Sequence, residues 1–286
     1  MLPRLIRLDD LDPEQPPMVP SLSRLHHQNS AHGPVTGRAF YQRSERFSQD
    51  EQQVRQVAAS GKSYPGQPRV SLPPAPRWGG RKLRQVLQTR RTRRCFGGGG
   101  LSLKELGALL GLGGGVTGEA RHPVFDEVRQ PLRSWPSAGA LYPLEVYWGD
   151  LGHGPHLEQG FYHHLPLEHA LERLPQELHE SNLWSSIFAQ NLQGEAAGLV
   201  LLSAVWERTL DKYGERGYRF VWLDAGHLCQ NLLLVAEDLG LCAVPLGGFC
   251  DRELGRQLGL PDLHEEAVIY AVVVGRPASR SRRSRR

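Results

Sequence analysis

The sequence has few cysteines and no long apolar run, and each absence excludes a class of protein. Its 286 residues include four cysteines, none of them in a C-x-x-C pair. This usage argues against a disulfide scaffold and against a cysteine-rich zinc site. No run of about 18 apolar residues is present to cross a membrane, and the acidic N-terminus does not resemble a signal peptide. We therefore expect a cytoplasmic protein that does not enter a membrane.

Basic charge is also scarce outside the C-terminus. The net charge is +4, but residues 278–286 carry five arginines, and the rest of the chain has 29 basic and 30 acidic residues. A nucleic-acid-binding protein normally carries its basic excess on the folded body. Nucleic acid is therefore not an expected partner, and the Ser/Arg tail 278–286 is predicted to be disordered.

The composition is otherwise that of a globular protein, with 40% hydrophobic and 22% charged residues. Eleven of the 21 prolines fall within residues 1–78. Because proline fixes φ and removes an amide donor, this part is predicted to be an N-terminal extension that is extended, looped or partly disordered. The folded domain is predicted to span residues 79–277.

The texture of the sequence changes at about residue 80, and from there it predicts alternating helices and strands. Helices are predicted at 81–91, 102–110, 181–192 and 217–239, with a short helix capped by Asp251. Strands are predicted at 144–148, 160–165, 198–205, 241–248 and 267–275. Two glycine clusters, 97–100 and 111–115, are predicted to be flexible turns. The pattern indicates an α+β fold in which helices cover the faces of a sheet.

The pair Lys212 and Tyr213 lies between a predicted buried strand and a long apolar helix. A lysine beside buried surface loses its proton more readily, because desolvation disfavours the charged form. The pair is therefore a candidate proton acceptor. The alternative is an ordinary exposed loop.

Three further segments carry groups that suit a planar, phosphate-bearing ligand. The arginine-rich run at 90–94 offers forked, charge-assisted hydrogen bonds, although such a run is also typical of a solvated basic surface. The small residues of the PSAG segment (136–139) and the Gly247–Gly248 pair allow a backbone to approach a ligand closely. Arg276, after the last predicted strand, could reach the same phosphate.

Together these segments resemble the nitroreductase-like flavoproteins, and more closely their SagB-type dehydrogenases, the azoline oxidases. The resemblance covers residues 81–277 and rests on RRTRRCF, PSAGALYPLE, ERTLDKYGERGYR, DAGHLCQN and VVVGRP. It implies a nitroreductase-like fold, with a central mixed or antiparallel sheet flanked by helices. It also implies a homodimer that has a long buried helix at its interface and two FMN sites shared between the subunits.

The resemblance also implies roles for individual residues. The residues expected to hold the phosphate and ribityl groups of FMN are Arg90, Arg91, Thr92, Arg94 and Arg276. The residues expected to reach the flavin of the other subunit are Pro136, Ser137, Ala138 and Gly139. Gly247 and Gly248 are expected near the reactive edge of the flavin, and either Lys212 or Tyr213 is expected to be the base. Thr92 stands where the family commonly has serine.

The implied reaction is the dehydrogenation of thiazoline or oxazoline rings to thiazoles or oxazoles in a modified peptide. Dioxygen is the expected final acceptor, and a cyclodehydratase complex is an expected partner. One alternative is an NAD(P)H-dependent nitro or flavin reductase on the same fold, and another is a non-catalytic scaffold subunit. No metal is expected, because the spacing of His163, His164 and His169 matches no usual zinc site and exposed histidines are the simpler interpretation.

Overall fold

The computed structural model describes residues 21–59, 61–75, 79–188 and 191–278. The helices are α1 (Leu22–Asn29), α2 (Pro34–Gln49), α3 (Glu51–Ala58), α4 (Leu83–Thr89), α5 (Leu103–Gly114), α6 (Glu180–Ser186), α7 (Glu207–Tyr213), α8 (Glu215–Asp238) and α9 (Asp251–Gln257). The strands are β1 (Arg69–Ser71), β2 (Val116–Arg121), β3 (Arg129–Arg133), β4 (Leu144–Asp150), β5 (Gly160–Leu165), β6 (Ala170–Arg173), β7 (Gly198–Val205), β8 (Cys242–Leu246) and β9 (Glu266–Gly275).

The strands form a seven-stranded sheet in the order β1-β6-β5-β4-β7-β9-β8, and β2 and β3 form a separate hairpin. Every strand pair in the large sheet is antiparallel. The α+β class and the antiparallel sheet flanked by helices are therefore confirmed. Strands β5 and β7 have the predicted bounds, whereas the predicted helix 181–192 is too long. It ends at Ser186, because Ile187 pairs with Phe249 in a β-bridge.

Helices α5 and α8 pack on one face of the sheet, and α6 and α9 pack on the other. The central strands β4 and β7 are buried on both sides, so they are apolar along most of their length. The prediction of a flexible turn at 111–115 was wrong, because Gly111–Gly114 belong to α5. A Cβ added at Gly113 would lie 2.7 Å from Cδ2 of Leu232 on α8, so the absent side chain permits close helix packing.

Helix α8 starts two residues earlier than predicted, and it is not covered on all sides within one chain. Its buried side faces α5 and the sheet through residues such as Val221, Leu228 and Leu232. Trp222 and Leu223 stay 42% and 57% exposed. A helix that leaves large apolar side chains exposed on one side has a face suited to contact with another protein surface.

The N-terminal extension differs most from expectation, because residues 22–58 form helices α1, α2 and α3 instead of extended or looped chain. The proline count concealed this. Pro34 is the first residue of α2, where proline is tolerated, and no proline occurs between Pro34 and Pro65. Residues 1–20 of the predicted extension and 279–286 of the predicted tail lie outside the described residues. Within the described ranges, no helix is long and apolar enough to cross a membrane.

Candidate active site

Lys212 and Tyr213 are the last two residues of α7, the short helix that follows β7. The helix ends there because Gly214 has a φ of 57° and breaks the chain direction before α8. Arg208, one turn earlier, fastens α7 to the sheet through an ion pair of 2.5 Å with Glu145 of β4. The Lys–Tyr pair is thus placed by two short elements that are anchored in the core.

Glu145 is well suited to anchor this helix, because it is buried and ionised. His163 Nε2 lies 2.7 Å from one of its carboxylate oxygens, and Arg208 contacts the other. Burial alone would raise the pKa of Glu145, but the hydrogen bond with His163 and the charge of Arg208 lower it to about 2. The carboxylate therefore keeps its charge at every pH at which the protein would be assayed.

The PSAG segment lies directly against the Lys–Tyr pair of the same chain. Gly139 has a φ of 63°, and a Cβ added there would lie 2.6 Å from the hydroxyl of Tyr213 and 3.1 Å from Nζ of Lys212. Only glycine fits this position, both for its backbone and for the space that remains. Two motifs that are about 70 residues apart in sequence therefore meet at one point.

Asp224 of α8 lies against the PSAG segment. It is 3% exposed and faces the hydroxyl of Ser137 and the amide of Ala138. Burial raises the pKa of Asp224 to about 6, and its Oδ2 has no hydrogen-bond partner among the described residues. The hydroxyl oxygen of Ser137 also accepts from the amide of Tyr142 at 3.0 Å, which fixes the segment before β4.

The environment pushes both members of the pair towards their neutral forms. Burial lowers the pKa of Lys212 and raises the pKa of Tyr213. Within the described ranges Lys212 makes no ion pair that would keep it charged. The charge of Lys212 also helps to lower the pKa of His122, which is mainly lowered by burial. A neutral amine beside a protonated phenol can accept a proton and donate a hydrogen bond.

The arginine-rich run lies at the opposite end of the sheet. A β-bridge pairs Cys95 with Gln193, and another pairs Phe96 with Pro277, so the run lies next to Arg276. The side chains of Arg90, Thr92 and Arg94 make no hydrogen bond or ion pair with described residues, and that of Arg91 contacts only main-chain carbonyls. Guanidinium groups without a carboxylate partner are free to bind an anion.

Two neighbouring arginines already have partners. Arg93 pairs with Glu237 at 3.3 Å. Arg276 donates to both carboxylate oxygens of Glu105, at 3.0 and 2.8 Å. Arg276 therefore lies close to the arginine-rich run as predicted, but it would have to share or leave Glu105 to hold a phosphate.

Gly247 and Gly248 follow β8, at the other end of that strand from Arg276. In the β8–β9 pair, Leu246 lies opposite Ala271, five residues before Arg276, which corresponds to about 17 Å along the strand. A Cβ added at Gly247 would meet nothing within 4 Å. Gly247 therefore borders open space, as an approach for a ligand requires.

One chain does not bring all the predicted residues together. Through β7, Leu144 at the end of the PSAG loop is aligned with Ala267 of β9, nine residues before Arg276. At about 3.3 Å per residue, the two groups lie about 30 Å apart along the sheet. The unpaired guanidinium groups and the open space at Gly247 fit a phosphate-bearing, planar cofactor such as FMN, provided that two chains contribute.

Sequence reasoning missed a third contributor, helix α2. Phe40 stacks on Tyr213 at 5.5 Å, and Phe47 lies 5.4 Å from Nζ of Lys212. Arg43 donates to two carbonyls of α7, those of Leu210 and Asp211. The contacting residues of α2 recur at 40, 43, 44 and 47, the spacing of one helical face, and this period was the available signal.

The histidines also differ from expectation. His163 and His164 are 0% and 1% exposed on β5, so the interpretation as exposed residues was wrong. The Nε2 atom of His163 already has a hydrogen-bond partner in Glu145. Among the described residues, no group of three or more His, Cys, Asp or Glu side chains is arranged to hold a metal ion.

Comparison with known sequences gives three matches. The sequence profile of the nitroreductase family matches residues 87–276. A protein of Methanocaldococcus jannaschii that bears a nitroreductase name is 35% identical over 173 residues, which cover 60% of this chain and 82% of that protein. The microcin B17-processing protein McbC of Escherichia coli is 32% identical over 133 residues, which cover 45% of this chain and 48% of McbC.

Comparison with solved structures shows the same fold. A crystal structure from Ralstonia eutropha that bears a nitroreductase name has a TM-score of 0.60 at 24% identity, covering 74% of this chain and 90% of the other. A chain of the E. coli microcin synthetase McbBCD complex, with truncated pro-MccB17 bound, has a TM-score of 0.53 at 21% identity. That match covers 92% of this chain and 99% of the other.

Proposed function

We propose, from the premise that this chain belongs to the nitroreductase family, that it is an FMN-dependent dehydrogenase of thiazoline or oxazoline rings in a modified peptide. Family membership makes the chain an oxidoreductase. The narrower proposal is carried by one observation, the contact of Lys212 and Tyr213 with Gly139 of the PSAG segment. This contact places a candidate base next to a segment that is expected to border the cofactor.

The need for a base separates this reaction from the alternative. A nicotinamide that donates a hydride becomes aromatic without losing a proton from carbon, so a reductase needs no base for that step. An azoline ring becomes an azole only when it loses a hydride from one ring carbon and a proton from its neighbour. A half-buried lysine without an ion pair suits the second task.

Each group of residues has a separate part in the proposed reaction. The free guanidinium groups of Arg90 and Arg94 bind the phosphate, and the PSAG segment of a second chain lies against the ring system. FMN, when bound, supplies the acceptor for the hydride, and dioxygen is the proposed final acceptor. Lys212 takes the proton from the ring carbon at its Nζ. Tyr213, whose pKa is raised by burial, stays protonated and holds the substrate ring by a hydrogen bond.

The similarity to McbC supports a peptide as the substrate, since that relative is named for processing microcin B17. A cyclodehydratase that makes the azoline rings is then the proposed partner, because it would supply the substrate. A homodimer is proposed on separate grounds. The two groups of site residues lie about 30 Å apart in one chain, and α8 leaves Trp222 exposed for a second copy.

The test is the bleaching of bound flavin by an azoline-containing peptide without oxygen. The parent protein should bleach, and Lys212→Ala should keep its FMN but bleach about 10²–10⁴-fold more slowly, the usual effect of losing a general base. Lys104→Ala, which removes an exposed lysine of α5, is the matched control and should behave like the parent.

Three outcomes would overturn the proposal. If no azoline peptide bleaches the parent while NADPH does, the protein is a reductase. If FMN binds but neither compound bleaches it, the chain is better described as a scaffold subunit. Protein that stays colourless after incubation with FMN would remove the cofactor assignment altogether.

A further inference from the structure

We propose that helix α2 of the N-terminal segment lines the active site. Its Phe47 keeps water from Lys212, and its Phe40 and Ser44 position the ring of Tyr213. This inference deepens the proposed function, since it concerns the same Lys–Tyr pair. It assigns a positioning role to a part of the chain that precedes the region matched by the nitroreductase family, residues 87–276.

The first support is the fastening of α2 to α7. The guanidinium group of Arg43 donates to the carbonyls of Asp211 and Leu210 at 2.9 and 3.1 Å. Both carbonyls lie in the last turn of α7; that of Leu210 also accepts from the amide of Gly214, and that of Asp211 lies where helix carbonyls lack intrahelical partners. A cation that satisfies them also favours the negative end of the helix dipole. The two helices are therefore held together at the turn that carries the Lys–Tyr pair.

The second support is the set of contacts with Tyr213. The ring of Phe40 is stacked on the ring of Tyr213, with centroids 5.5 Å apart and planes 20° apart. Phe220 of α8 contacts the other side edge-on, at 5.1 Å. Ser44 of α2 also interacts with the side chain of Tyr213. A ring that is enclosed from α2 and α8 is restricted in its orientation.

The third support is the position of Phe47 between Lys212 and open space. Its ring lies 5.4 Å from Nζ of Lys212 and is itself only 8% exposed. Phe47 also borders two hollows, of about 360 and 480 Å³, between α2, α3 and α7. Lys212 lines neither hollow. Shortening Phe47 would therefore join the hollows to the amine and admit water.

Two effects of the Phe47 ring on Lys212 oppose each other. The ring excludes water, which favours the neutral amine, and its π face attracts a cation, which favours the charged amine by about 0.5–2 kcal/mol. The other charged or titratable groups around the pair are Arg43 of α2, Asp211 of α7, His122 of the β2–β3 turn and Asp224 of α8. Burial is the influence that sets the pKa of Lys212, and it lowers that pKa. We take exclusion of water to be the larger effect, because Phe47 is itself only 8% exposed.

The experiment measures the titration of Lys212 directly, in the full-length protein. Lys212 is acylated with limiting acetic anhydride at a series of pH values, and its modification is measured by peptide mass spectrometry. Phe47→Ala should move the titration midpoint to higher pH, because water would then stabilise the charged amine. Val35→Ala, which shortens an 81%-exposed side chain of the same helix, is the control and should titrate like the parent.

A second variant covers the chance that Phe47→Ala disturbs the packing of α2. Arg43→Ala removes an exposed side chain and its two hydrogen bonds but leaves the Phe47 ring in place. It should shift the midpoint in the same direction, because α2 is no longer held against α7. Both variants should also slow flavin bleaching, with the pH profile of bleaching moved to higher pH.

The proposal is overturned if Lys212 titrates in both variants as it does in Val35→Ala. It is also overturned if the titration midpoint of Lys212 moves to lower pH, because the Phe47 ring would then stabilise the charged amine instead of excluding water. The acylation needs no substrate and no flavin. Its result therefore stands even if the parent does not bleach with azoline peptides, an outcome that would count against the proposed reaction only.

Discussion

If each active site combines two subunits, two inactive variants should restore activity when they are mixed. Arg94→Ala removes a free guanidinium group at one end of the sheet, and Lys212→Ala removes the proposed base about 30 Å away. In a mixed dimer, one site collects both defects. The other site receives Arg94 from one chain and Lys212 from the other and is whole.

The size of the recovery follows from the same geometry. Loss of Arg94 should weaken FMN by roughly 1.5–3 kcal/mol, or about 10- to 150-fold, so the variant can be assayed at an FMN concentration that leaves its own sites empty. Random mixing makes about half of the dimers mixed, and one of the two sites in each mixed dimer is whole. About a quarter of the parental activity should therefore return in the mixture, and about half in the isolated mixed dimers.

The assay is azoline oxidation after the two variants, carrying different affinity tags, have been unfolded and refolded together and the mixed dimers isolated. Arg90→Ala with Arg94→Ala is the matched control pair, because both changes lie at the same end of the sheet and every site then lacks one arginine. That pair should stay inactive. Mixed dimers of Arg94→Ala and Lys212→Ala that are purified and still inactive would refute the shared site.

Two further predictions concern α8. Trp222→Glu places a charge on the exposed apolar face and should weaken dimer association at least about tenfold, as measured by sedimentation. The control variant Leu167→Glu, at a 60%-exposed position in the β5–β6 turn, should leave the dimer unchanged. An unchanged dimer in Trp222→Glu would remove this face from the interface. Asp224 has a pKa raised from 3.8 to about 6 by burial, so its stabilising contribution is complete below pH 3.8 and is lost as the pH rises through 6. Asp224→Asn should abolish that loss, so at pH 8 its free energy of unfolding, measured with denaturant, should be roughly 2–3 kcal/mol higher than that of the parent. This difference in the free energy of unfolding should shrink at acid pH. A difference that grows at acid pH would contradict the raised pKa of Asp224.

The sheet was predictable from the sequence because its strands are buried on both faces. A continuous run such as 198–205 has no other place in a globular protein than the middle of a sheet, and its predicted bounds agree with β7. Cys229 and Cys242 are buried among the apolar side chains of the core. Periodicity and composition suffice where burial alone decides the structure.

The helices were harder to predict where packing between distant segments decides the outcome. The glycines at 111, 113 and 114 read as a turn because local propensity disfavours glycine in helices, but they are helical in α5, where Gly113 permits the close approach of Leu232. His163 looked exposed because its partner, Glu145, lies in a different strand. In both cases the missing information was a contact between segments far apart in sequence.

The candidate site shows the same division. The motifs gave the residue types, and the fold adds where they lie: the PSAG segment and the Lys–Tyr pair at one end of the sheet, and the arginine-rich run at the other. Phosphate binding and proton transfer suit different surroundings, since guanidinium groups without a partner are hydrated until an anion binds, whereas the amine that takes a proton is kept from water. Separation by about 30 Å within one chain keeps the two environments independent during folding. Association of two chains would then bring together a charged end and a desolvated end that were each built in advance, and the aromatic face of α2 completes the desolvated one.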